Sequence, residues 1–176
     1  VGILSADKLL SYPDFRVNER AFQLIEQVSG RAGRKNDQGE VLIQLFNTQH
    51  PVLTFLKRHD FDGFYQEEIT MRKEFLYPPF VRLIKINLRH KQAETAKKAA
   101  AKLFEDLQDL PKTVFFGPAE PSVNRIRTYY IQEILLKTNR DPAHLIAVKK
   151  IIREKITYLT ATNHFTTVFV SVDVDP

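Results

Sequence analysis

Two arginines three residues apart, set among glycines and preceded by a glutamine, are the sharpest chemistry in this chain: Gln27-Val28-Ser29-Gly30-Arg31-Ala32-Gly33-Arg34. A guanidinium is a planar fork that pairs bidentately with phosphate oxygens and spreads the charge that develops during phosphoryl transfer. The glycines let such a segment come close to a ligand. The pattern suits a triphosphate. The plain alternative is a helix end followed by solvated arginines in a turn.

A second group is Arg125, Arg127, Tyr129 and Tyr130, basic forks beside aromatic rings at a loop-to-strand junction. Such a combination holds phosphates while bases stack, although core tyrosines and solvated arginines look the same in sequence. Lys85 and Arg89 share a strand face and extend this DNA-binding patch. Lys149 and Arg153, one helical turn apart, form another basic strip, suited to an acidic partner peptide or simply to water. The histidines at 50, 59, 90, 144 and 164 show no paired ligand spacing, so a metal site is not expected. Asp173 and Asp175 fall on one face of the last strand, and a solvated strand end is expected there rather than a working carboxylate pair.

The elements that must position these residues follow from periodicity. Val1 to Leu4 reads as a strand with Ser5-Ala6-Asp7 as its polar exit. Ala21, Leu24, Ile25 and Val28 are spaced as on one helical face, and Gly30 is where that helix should stop. The nearly continuous apolar run over 40–46 predicts a strand covered on both faces. Strand, helix and strand together suggest a parallel-sheet unit. Pro51 opens a short helix, Asp60 caps another from Phe61 to Leu76, and Tyr77-Pro78-Pro79 must end it.

Beyond the prolines the pattern changes. Residues 84–89 alternate strictly as a strand with one buried face, and residues 91–110 switch to helical spacing with Ala96, Ala100, Leu103, Leu107 and Leu110 on one stripe. A short strand over 114–116 precedes the breaker Gly117-Pro118. A longer strand over 127–137 is apolar on both parities. Asp141-Pro142 starts a helix with Leu145, Val148, Ile152, Ile156 and Leu159 on one side. Valines at 168, 170, 172 and 174 close the chain with a clean alternation. The order βαββαβ predicts a ferredoxin-like arrangement, two helices on one face of an antiparallel sheet.

Composition bounds the rest. The chain has 176 residues, 43% of them hydrophobic and 27% charged, enough for one ordinary core or one domain plus part of another. The formal charge of +5 leans toward polyanionic partners. With no cysteine there is no disulfide scaffold, thiol nucleophile or cysteine zinc site, which fits a reducing, intracellular setting. No apolar run reaches the roughly 20 residues of a membrane helix. The chain opens at Val1 within an apolar run and its single methionine is Met71, so it reads as a piece of a longer polypeptide.

Taken together, Ser5-Ala6-Asp7, Leu10 to Arg16, Glu19-Arg20 and the stretch Gln27 to Arg34 resemble the last motif of a superfamily 2 helicase, in the form found in the bacterial primosomal N-prime (PriA) replication-restart helicases. Gly39 to Gln44, Tyr77-Pro78-Pro79-Phe80, Gly117-Pro118-Ala119 and the closing Asp173-Val174-Asp175-Pro176 occur in the same order in that family, so the resemblance spans nearly the whole chain. It implies the end of a second RecA-like lobe over 1–58, a connecting helix and Pro-rich linker over 59–78, and a ferredoxin-like C-terminal domain over 79–176.

The resemblance further implies an ATP-dependent 3′-to-5′ DNA helicase of primosome assembly and fork restart, working in the cytoplasm. Carried over by position, Gln27, Gly30, Arg31 and Arg34 face ATP and its Mg, with Arg31 and Arg34 as arginine fingers. The sequence has no G-x-x-x-x-G-K-[ST] phosphate loop and no DExx box, so this stretch alone is not expected to hydrolyse ATP. The family's zinc-binding cysteines are expected in the parent protein before Val1. Implied partners are forked and single-stranded DNA, the acidic tail of single-stranded-DNA-binding protein, received at Lys149 and Arg153, and other primosome proteins. The alternative from a different class is a non-enzymatic nucleic-acid-binding module with a ferredoxin-like fold, in which Gly30 to Arg34 is merely a basic loop.

Overall fold

Residues 1–32, 40–161 and 164–176 are described by the structure, a computed structural model. They form two units, Val1–Phe75 and Leu76–Pro176. The first contains β1 (Gly2–Ile3), α1 (Asp7–Leu10), α2 (Val17–Ala32), β2 (Leu42–Ile43), α3 (Pro51–Arg58) and α4 (Phe61–Glu74).

Strands β1 and β2 pair in parallel, Gly2 opposite Leu42 and Ile3 opposite Ile43. The expected strand over 40–46 shrinks to two residues, and it is not covered on both faces: Leu42 is 66% and Phe46 99% exposed. Only one neighbouring strand pairs with it here, so half of its ladder and one of its faces meet no described layer of this unit. Helix α2 does not stop at Gly30 but runs on to Ala32. A glycine inside a helix costs about 1 kcal/mol relative to alanine and does not by itself end it. The buried face of α2 is Ala21, Phe22 and Ile25, while Leu24 points outward at 41% exposure. Short helix α1 replaces the expected polar exit, and its Asp7 carboxylate accepts from the Phe46 amide at 3.0 Å.

Pro51 stands at the first position of α3, where its missing N–H is no loss. Asp60 caps α4 by accepting from the Gly63 amide at 2.8 Å. A Cβ on Gly63 would lie 2.3 Å from the same carboxylate, so the cap and the glycine require each other. Helix α4 packs into this unit: the Phe64 and Phe22 rings stack at 4.4 Å, and Phe64 shares a core with Ile25, Val52, Leu53 and Leu56. Arg72 adds an ion pair to Glu19 at 2.6 Å.

The second unit contains β3 (Arg82–His90), α5 (Ala93–Leu107), β4 (Thr113–Ala119), β5 (Arg125–Ile126), β6 (Tyr129–Thr138), α6 (Pro142–Ala161) and β7 (Phe169–Val174). Four strands lie in the order β4-β6-β3-β7, all antiparallel, with β5 a short addition to β6. Alternation turns Ile84, Ile86 and Leu88 of β3 and Ile134 and Leu136 of β6 to one side. There they meet Ala99, Ala100, Leu103 and Leu107 of α5 and Val148, Ile152 and Leu159 of α6. All of these side chains are essentially solvent-free, and each large aliphatic among them contributes about 1.5–3 kcal/mol by leaving water.

Gly117-Pro118 does not break β4, which continues to Ala119 with a shift of register after Phe116. Gly117 makes the shift possible: its φ is +102°, and a Cβ there would stand 2.7 Å from the Glu133 carbonyl oxygen. The closing Asp175 is no solvated strand end. Its carboxylate accepts from the Leu83 amide at 3.1 Å and pairs with Arg82. No helix among the described residues is long and apolar enough to cross a membrane.

Candidate functional site

In the first unit the last two turns of α2 carry the candidate phosphate ligands. Gln27 and Arg31 are both exposed, and four residues apart on a helix they share a face. Gln27 lines a cleft of about 430 Å³ together with Arg20 and Gln23. Gly30 turns toward another cleft, of about 660 Å³, with Ile25, Ile43 and Leu53 in its wall, and nothing lies within 4 Å of where its Cβ would stand. Arg34, with Gly33, lies outside the described residues.

Asp14 organises the approach to this helix. It pairs with Arg20 at 2.7 Å and Arg16 at 3.3 Å and accepts from the Arg16 amide at 2.9 Å. Burial raises its pKa, but the hydrogen bonds from the Arg16 backbone and guanidinium and the charges of Arg16 and Arg20 outweigh that. The carboxyl therefore sits below its ordinary value.

In the second unit the sheet face away from α5 and α6 carries Lys85, Asn87 and Arg89 from β3, Tyr129 and Glu133 from β6, and Phe169, Ser171 and Asp173 from β7. Lys85 Nζ lies 3.4 Å from Glu133 Oε2, and Lys85 stands opposite Asp173 in the ladder. Arg89 is exposed and stands opposite Phe169. The Phe169 and Tyr129 rings meet edge to face at 5.6 Å.

The residues grouped by sequence therefore separate. Lys85, Arg89 and Tyr129 belong to the open face. Tyr130, opposite His90 in the ladder, points to the other side, where the Arg125 guanidinium lies 5.0 Å over its ring. Arg127 sits in the turn between β5 and β6 at φ +56°, its carbonyl accepting from Arg125 Nε at 3.2 Å. On α6 Lys149 and Arg153 are both exposed, next to Ile146 at 70% exposure.

Two features escaped the sequence reading. Lys137 is buried, its Nζ 3.6 Å from the centre of the Tyr77 ring, and burial pulls its pKa down. Phe169, 56% exposed, completes an aromatic pair with Tyr129. The valine alternation over 168–174 did carry that signal, because it leaves Phe169 as the one apolar residue on the opposite parity, beside Ser171 and Asp173. Three of the histidines make local contacts: His50 caps α3, His59 meets Glu26 at 3.1 Å, and His144 meets Thr138 at 2.9 Å. Among the described residues no three His, Asp or Glu gather as a metal site would need.

The antiparallel sheet backed by two helices belongs to a defined family of domains. The chain is a member of the primosomal protein N C-terminal domain family, whose model matches residues 73–176. Replication restart protein PriA of Synechocystis is 37% identical over 180 residues, covering 100% of this chain and 20% of that protein. PriA of Bacillus subtilis is 35% identical over 178 residues, covering 100% of this chain and 22% of its own length. PriA of Treponema pallidum is 38% identical over 179 residues, covering 100% and 26%. The chain thus spans about a quarter or less of these relatives, and corresponds to their C-terminal part.

Proposed function

We propose that this chain is the C-terminal portion of an ATP-dependent 3′-to-5′ DNA helicase that acts in primosome assembly and restart of stalled replication forks in the cytoplasm. The observation that carries the reading is the likeness to replication restart proteins along the whole chain, at 35% to 38% identity in the three relatives above. In this reading residues 1–58 close a second RecA-like lobe, and residues 79–176 are a ferredoxin-like domain that touches DNA and partner proteins.

Gln27 and Arg31 fit the nucleotide-facing role, since both are exposed on one helix face with donors free to reach a polyphosphate presented by another lobe. Bound ATP with its Mg supplies the phosphoryl group. Gln27 would orient it, and Arg31 with Arg34 would spread the negative charge on its terminal oxygens. Zinc belongs to the parent protein outside this stretch. Replacing Arg34 by alanine in the full-length protein tests the assignment: DNA-stimulated ATP hydrolysis should fall on the order of 10³-fold while fork binding stays intact. Wild-type turnover in that variant removes the finger role.

For DNA, Arg89, Arg127 and Tyr129 are offered at the open end of the sheet, Arg125 and Tyr130 support the neighbouring turn, and Lys85 is already engaged by Glu133. Lys149 and Arg153, beside exposed Ile146, suit an acidic peptide with an apolar end, such as the tail of single-stranded-DNA-binding protein.

A further inference from the structure

Where β3 and β7 meet at one end of the sheet, a cleft of about 650 Å³ is bounded by His90, Lys91, Tyr129, Thr167 and Phe169. Phe169 is 56% exposed and gives Tyr129 only an edge-to-face contact, so ring surface remains open to a planar guest. His90 Nδ1 lies 3.0 Å from the Gln92 amide nitrogen and 3.3 Å from the Gln92 carbonyl oxygen, and its Nε2 lies 3.0 Å from Thr167 Oγ1. The Thr167 hydroxyl lines the cleft as a polar group able to donate or to accept.

Two exposed cations flank this opening, Arg89 opposite Phe169 in the ladder and Lys91 in the cleft wall. The carboxylates of this sheet face, Glu133 and Asp173, stand four residues further along their strands, about 13 Å away, and Glu133 is engaged by Lys85. Glu94, in the first turn of α5, is the carboxylate nearest to Lys91 in sequence.

We propose that this cleft seats one unpaired base of a DNA single strand. Phe169 stacks on the base, the Thr167 hydroxyl hydrogen-bonds to its edge, and Arg89 and Lys91 hold the flanking phosphates. A duplex does not satisfy the site, because its bases are already stacked on both sides, whereas an open ring needs a free base face. The inference rests on the reading of the second unit as a DNA contact and specifies the form of DNA it takes.

The test is titration of the 176-residue chain with an oligothymidine carrying one 2-aminopurine, and with a blunt duplex of equal length. The single strand should bind more tightly than the duplex and its 2-aminopurine should be quenched by stacking. Phe169→Ala should weaken single-strand binding about tenfold and abolish the quench while duplex binding is unchanged, and Phe169→Tyr should retain both. DNA bound equally well by Phe169→Ala, without quenching, overturns the cleft assignment and leaves the DNA reading standing. No DNA bound even at low salt removes both. Binding of an acidic peptide through Phe169, with no single strand bound, replaces the nucleotide site with a protein-docking site.

Discussion

Lys85 Nζ lies 3.4 Å from Glu133 Oε2 on the open face of the sheet, with Asp173 opposite Lys85 on the edge strand. A lysine so placed has spent its charge within the fold, so its loss should matter little to a polyanion. Lys85→Ala should leave DNA affinity within about threefold of wild type, because the lysine charge is already balanced by the Glu133 carboxylate. Glu133→Gln should do the opposite, releasing Lys85 and steepening the salt dependence of binding by roughly one counterion. A titration series on the two variants decides it. A large loss in Lys85→Ala would mean that the pair opens to receive a phosphate.

The cap of α4 makes a prediction about the first unit. Asp60→Ala should destabilise that unit by about 1 kcal/mol, the usual cost of losing an N-cap. Gly63→Ala should bring none of the stabilisation of about 1 kcal/mol that a helix-favouring residue normally gives, because its Cβ would fall 2.3 Å from the capping carboxylate and push it off the helix end. Urea unfolding followed by circular dichroism reads both, and a stabilised Gly63→Ala would contradict the geometry.

Asp14 predicts a pH dependence. Its folded pKa is depressed, so the unfolded chain holds the proton more tightly. The stabilisation is therefore fully present above the unfolded value of about 3.9 and is lost as pH falls through the lower folded value. Asp14→Asn should weaken the first unit at neutral pH and flatten its loss of stability below about pH 4. Thermal unfolding from pH 3 to 7 checks the sign.

In the second unit, Gly117→Ala should be costly for a different reason. The backbone there stands at φ +102° with the Glu133 carbonyl 2.7 Å from any Cβ, so both strain and a clash arise at the register shift. A loss of about 2–3 kcal/mol is expected, read by urea unfolding of the variant beside the wild-type chain, and an unchanged stability would contradict the geometry.

The second unit was legible because its elements are long and strictly periodic. Ile84, Ile86 and Leu88 alternate without a fault, and Ala96, Ala100, Leu103 and Leu107 keep one helical stripe, so local pattern and tertiary burial agree. The first unit was read less well. The run over 40–46 has the composition of a buried strand, yet only Leu42–Ile43 find a partner, and periodicity carries no information about whether a neighbour exists. Gly30 looked like a helix stop because glycine usually marks one, but helix α2 tolerates it. For the candidate site, sequence could name Arg89 and Tyr129 but not join them to Phe169. That pairing is made by the β3–β7 ladder, eighty residues apart in the chain for Arg89 and Phe169, and a long-range pairing leaves no local signature.

The central claim, that this chain places a DNA contact at the C-terminal end of a replication restart protein, is tested most directly by fluorescence anisotropy. The chain is titrated with forked and single-stranded DNA across a salt series. Phosphate contacts appear as a linear fall of log affinity with log salt, with a slope near −0.7 per contact for single strands. The account predicts binding at low salt, a slope reflecting two or three contacts, and a loss of about one contact in Arg89→Ala. No binding of either DNA at low salt, or a slope that Arg89→Ala does not change, would contradict it.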